Sequence, residues 1–145
     1  MLREALAICR DAGTQFCGPK VISALSRVVE NATERASLLA EGEAMLGRGS
    51  VGHNHLWFYR DAIEALLSAR DAEGALVYVG RLEDYTRAEP LSWADLFVAR
   101  GRALCASLRK GADAPIRDEL ARVRTALAAA GMTAFLPAID VAMAT

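Results

Sequence analysis

The stretch His53–Leu67, reading HNHLWFYRDAIEALL, constrains the fold more than any other part of the chain. At 100° per residue, Phe58, Tyr59, Ala62, Ile63, Ala65, Leu66, Leu67 and Ala69 spread over more than half of a helix's circumference. A helix apolar over so wide an arc needs neighbours on several sides, so the chain must be built from several packed helices. The remaining arc holds His53, Trp57, Arg60, Asp61, Glu64 and Ser68, which places Trp57 among polar residues rather than with the core.

The flanking sequence supplies those neighbours. Leu2, Ala5, Leu6 and Cys9 recur at helical spacing, with Gly13 as a closing cap. Gly18-Pro19 opens a second helix with Val21, Ile22, Leu25, Val28 and Val29 as its stripe, expected to end near Glu30. Asn31 and Glu34 form a capping-box pair before Leu38, Leu39, Gly42, Met45 and Leu46, where Gly42 lets a neighbour approach closely. Asp71 caps a fifth helix carrying Ala75, Tyr78, Val79, Leu82 and Tyr85. Ser92 and Asp95, flanked by Leu91 and Leu96, read as a cap and hydrophobic staple for a sixth. Gly101 lies within that helix as a packing glycine, and Gly111 ends it. Asp113 starts a seventh, closed by Gly131, and Pro137 sets a last helix to begin near Leu136. No segment alternates with β-branched enrichment, so the expectation is an all-α chain of about eight helices joined by short turns and forming one domain over residues 1–145.

Composition narrows the partners. Seventeen basic and eighteen acidic residues, scattered rather than blocked, give no basic face for nucleic acid or an anionic membrane. The opening Met1–Asp11 stretch is too charged for a signal peptide, and no apolar run approaches the ~18 residues of a membrane span. Cys9, Cys17 and Cys105 are odd in number and lack paired metal-type spacing, which suits reduced core thiols in a cytoplasmic protein.

Helices starting near residues 34, 72 and 113 are about 38 to 41 positions apart, the period of a helical-hairpin array. Phe97-Val98-Ala99-Arg100-Gly101-Arg102-Ala103-Leu104 resembles the first helix of a tetratricopeptide (TPR) repeat. Ala75, Val79 and Leu82 resemble the packing positions of a second repeat helix, with Pro90 about three positions late. The expected architecture is therefore antiparallel hairpins stacked as a TPR-like α-solenoid with a right-handed superhelix. A more specific resemblance runs from Phe16-Cys17-Gly18-Pro19, through His53–Ala65, to Leu82-Glu83-Asp84-Tyr85-Thr86 and Glu89-Pro90-Leu91-Ser92-Trp93. These segments are similar to the C-terminal TPR-like region of large bacterial regulators that carry an adenylate/guanylate cyclase domain and an AAA-type ATPase domain upstream. The resemblance implies a signalling scaffold, and it carries over no catalytic residue.

Motifs of chemistry are weak throughout. Gly47-Arg48-Gly49-Ser50-Val51-Gly52 has the form GxGxxG, but a helix precedes it where a dinucleotide fold has a strand, so it reads as a turn. His53 and His55 are two apart and point about 200° from each other on a helix, which excludes a shared metal there, and His55 falls on the buried arc. Asp61 and Glu64 share a face beside Arg60, read as a solvated charge face rather than an acid–base pair. No catalytic, cofactor or metal site is expected. The candidate contact residues are His53, Trp57, Arg60, Asp61 and Glu64, for a protein or peptide partner that includes upstream domains of a parent protein or a second copy of the chain. The alternative is a small-molecule sensor with a pocket between helices near Trp57 that regulates an attached catalytic domain. Trp57 itself either fills a contact with the next hairpin or stands exposed as an aromatic anchor.

Overall fold

In the computed structural model, which describes residues 1–12 and 16–145, the backbone forms eight α-helices, with no strand among the described residues. They are α1 (Leu2–Asp11), α2 (Gly18–Ser26), α3 (Ala32–Gly47), α4 (Gly52–Ser68), α5 (Ala72–Thr86), α6 (Ser92–Lys110), α7 (Ala114–Ala129) and α8 (Leu136–Ala144), the last preceded by a 3₁₀ turn at Thr133–Phe135. The all-α class follows as expected; the cap assigned to Gly13 lies outside the described residues.

Side chains that compete for backbone N–H groups fix three of the helix starts. Asn31 Oδ1 accepts from Glu34 N at 2.9 Å, Asp71 Oδ1 from Gly74 N at 2.9 Å, and Asp113 Oδ1 from Ile116 N at 3.1 Å. Glu34 does not complete a reciprocal box, because its carboxylate pairs with Arg3 at 2.5 Å. Two boundaries differ from the sequence reading. α2 stops at Ser26 rather than near Glu30, leaving Val28 exposed, and the cap of α6 is Leu91, with Ser92 already the first helical residue and making no capping bond. The glycine run is the expected helix-to-helix turn: Gly47 ends α3, Gly49 has φ +96°, and Gly52 begins α4.

The chain divides into two compact units, Met1–Ala69 and Arg70–Thr145. In the first, the short α2 touches α1, α3 and α4, and α3 also meets α4. The apolar arc of α4 alone had suggested that it would be the central helix, but α2 holds that place. Ile22, Phe58, Ala62 and Ile63 are fully buried here. Gly42 performs the role expected of it: a Cβ there would overlap the Phe58 ring and lie 3.1 Å from Ile22 Cγ2. The absence of that one carbon allows three helices to close on one another.

In the second unit α6 touches α5, α7 and α8. Phe97, Leu104, Cys105, Leu82, Leu120, Leu127 and Ile139 form its core, and Gly101 is buried in mid-helix as expected. Tyr85, assigned to the stripe of α5, is instead exposed, and Thr86 is buried in its stead with its hydroxyl donating to Leu82 O at 3.0 Å. Arg100 is 1% exposed, which its position beside the TPR-like glycine did not signal. Its Nε donates to Phe135 O at 3.0 Å, and its guanidinium lies 5.3 and 5.5 Å from the ring centres of Phe97 and Phe135.

Gly42→Ala is expected to destabilise the chain by about 1–3 kcal/mol through overpacking against Phe58. Gly80→Ala, at a mid-helix site with nothing within 4 Å of the added carbon, should be neutral or stabilising by up to about 1 kcal/mol. Urea unfolding of the pair checks both, and equal stability of the Gly42 variant and the parent would remove Phe58 from that seat.

Candidate functional site

The seam between α2 and α4 gathers Trp57, Arg60 and Asp61 of the five candidate residues and corrects the reading of Asp61. Asp61 is 4% exposed, not part of a solvated face. The part at Asp61 of the arc opposite α4's main apolar stripe is covered by α2, which can approach because Ser23 and Ser26 are small, and both are fully buried. The Ser23 hydroxyl lies 3.1 Å from Asp61 Oδ2 and 3.0 Å from Lys20 O, so Asp61 receives a donor from below. From above, Arg60 donates through Nε and Nη2 to Asp61 Oδ1 at 3.0 and 2.8 Å, and Arg27 Nη1 stands 3.6 Å from the same oxygen. A buried carboxylate is tolerated when charge and hydrogen bonds are supplied together, as here.

Trp57 lies one turn before Asp61 and is 38% exposed. Arg60 covers its ring at 4.3 Å and Lys20 stands 5.6 Å from the ring centre, the first from α4 and the second from α2. Trp57 is thus partly exposed, with a cation from each of the two helices beside its ring. His53, one turn earlier, is exposed and packs edge-to-face on Phe16 with ring centres 5.6 Å apart. Glu64 is half-buried one turn beyond Arg60. The sequence reading missed Phe16, Lys20, Ser23 and Arg27. The chain fold brings Phe16 to His53, Lys20 to Trp57, and Ser23 and Arg27 to Asp61, and no spacing within one helix could have indicated it.

The remaining titratable groups are elsewhere. His55 is half-buried with Nδ1 3.5 Å from Tyr59 Oη, facing away from His53, and burial holds its imidazole below the ordinary value. Cys9 and Cys17 place their sulfurs 3.4 Å apart, a pairing across the first turn that an odd cysteine count concealed. Burial, seconded by Glu73, pushes the Cys105 thiol up to about 11, so it stays protonated at neutral pH. A cleft of about 590 Å³ lies beside Leu6, Leu25 and Leu38, spanned by Arg3–Glu34 and Arg10–Glu41 ion pairs, and its described lining includes no residue of α4. Among the described residues no helix is long and apolar enough to cross a membrane, and no group of three His, Cys, Asp or Glu is placed to hold a metal ion.

No family model, no curated protein and no solved structure matches the chain. The class defined by fold and surface is an all-α protein with a cation-framed tryptophan on one helix seam.

Asp61→Asn keeps the shape but leaves Arg60 and Arg27 without their counter-charge; a loss of about 1–3 kcal/mol is expected in urea unfolding. An unchanged midpoint would mean that the ion cluster does not hold α2 to α4. For His55, the unfolded chain takes up a proton at higher pH than the fold does. Its contribution to stability is therefore intact above the ordinary value of 6.5 and is lost as the pH falls from there through the lower folded-state value. The unfolding free energy of the parent should accordingly fall relative to His55→Gln below that pH and run parallel above it. Parallel curves from about pH 7.5 to 4.5 would contradict the assignment.

Proposed function

We propose that this chain is a non-catalytic protein-interaction or scaffolding module of an intracellular signalling protein, and that it binds its partner through the α4 surface around Trp57. The observation that carries the reading is the tryptophan itself, a large aromatic held in place by two cations yet more than a third exposed. Interaction hot spots have this form, an aromatic anchor with a polar rim. His53, Arg60 and Glu64 form the rim, whereas Asp61 supports Arg60 from beneath. On this reading the packed helices are the hairpins of a TPR-like solenoid of the kind found in the C-terminal regions of cyclase and AAA-type regulators, and the proposed location is the cytoplasm. Upstream domains of a parent protein, or a second copy of the chain, are the partners that this reading names. A small-molecule sensor with a pocket at Trp57 has less support, since the cleft beside Leu6 and Leu38 lies away from α4.

Trp57→Ala is expected to leave stability within about 1 kcal/mol of the parent, as for a surface position, whereas a loss of about 3–5 kcal/mol would mark Trp57 as core packing. A photo-crosslinking p-benzoylphenylalanine at position 57, carried by the full chain in its source cells, should form an adduct with a polypeptide. The same group at exposed Tyr85 serves as the control. No adduct, or an adduct with lipid or nucleic acid alone, would refute the reading.

A further inference from the structure

Lys20 and Arg60 stand against the Trp57 ring, and Arg27 lies 3.6 Å from Asp61 one turn on, the buried carboxylate already engaged by Arg60 and Ser23. Even with half-buried Glu64 at the far edge, the seam is positive, in a chain whose formal charge is −1. Local positive charge on a slightly negative molecule favours a short anionic segment over a long polyanion, which the rest of the surface would repel. The aromatic component continues along the seam, since Phe16 is 67% exposed and stacked against His53, one helical turn from Trp57.

We infer that the occupant of this surface is an acidic segment of a partner polypeptide that also presents an apolar side chain, an inference that rests on the interaction reading above. Its carboxylates meet Lys20 and Arg27, whose ammonium and guanidinium groups stand on the α2 side of the seam. Its apolar side chain covers the exposed part of Trp57 and reaches toward Phe16. Arg60, held by Asp61, keeps the tryptophan ring in one orientation before the partner arrives, which reduces the ordering that binding requires. Such a contact weakens as salt rises, because the pairs that form it are at the surface.

The test is selection of a random dodecapeptide display library on the immobilised full chain, followed by fluorescence polarisation with the selected peptides. The expected result is enrichment of Asp and Glu beside an aromatic or aliphatic residue. Affinity should fall at least about tenfold for Trp57→Ala, and again for Lys20→Glu combined with Arg27→Gln, two exposed positions. Circular dichroism confirms that each variant is folded. Peptides that depend on Trp57 but carry no acidic enrichment would overturn this inference and leave the interaction reading standing. Selection of no peptide that depends on Trp57 would overturn both. Binding of a single-stranded oligonucleotide, or self-association of the chain, that is lost with Trp57→Ala would assign the surface to a different occupant and overturn the acidic-peptide inference.

Discussion

The seating of Phe58 against Gly42 and Ile22 governs the first unit. The Phe58 ring is completely buried, and it occupies the space that a Cβ on Gly42 of α3 would need. Once Phe58 is seated, the rotation of α4 about its axis is set, because every other side chain follows at 100° steps. Trp57, one position earlier, is turned away from the seat, and Asp61, one turn later, is turned toward α2. The exposed aromatic and the buried carboxylate are thus consequences of one packing decision. A different residue at position 42 would rotate or displace the whole stripe.

Electrostatics then depends on that rotation. A carboxylate carried into the α2–α4 seam would be costly alone, and the cations that relieve it are the same ones that frame Trp57. Arg60 serves both, with two nitrogens on Asp61 and its guanidinium carbon 4.3 Å from the indole centre. Stabilising the interior and shaping the surface are therefore coupled here through a single guanidinium, so a change at Asp61 reaches the surface without touching it.

The sequence carried the helices plainly and their mutual placement poorly. Asn31, Asp71 and Asp113 announce helix starts because a side-chain oxygen three residues before an N–H is a local event. Gly111 and Gly131, with φ of 79° and 72°, announce ends for an equally local reason. Where no such residue stands, the sequence carried no cap signal or a shifted one: α4 ends at Ser68 with Arg70 two residues on in the left-handed region, φ 58°, and α6 begins at Ser92 as read but with Leu91, not Ser92, at its cap. At the candidate site, His53, Trp57, Arg60 and Glu64 were legible as one stripe of α4. Asp61 was read wrongly, because burial on that stripe depends on α2, whose Ser23 stands 38 positions before Asp61, and on two serines whose significance is only that they are small.

The two units use the same chemical pair to opposite ends. In the second, Arg100 lies against both Phe97 and Phe135, which meet edge-to-face at 4.9 Å, and its hydrogen bond to Phe135 O ties α6 to the 3₁₀ turn that precedes α8. Water is excluded, so a cation over an aromatic face is worth about 2 kcal/mol or more there, and the pair acts as a clamp. In the first unit Arg60 over Trp57 is open to solvent on one side, where the same contact is worth only about 0.5–1 kcal/mol. A contact that weak orders a tryptophan without committing its free face. The interior pair therefore fixes the fold, while the exposed pair holds a ring ready for a partner that can complete its burial.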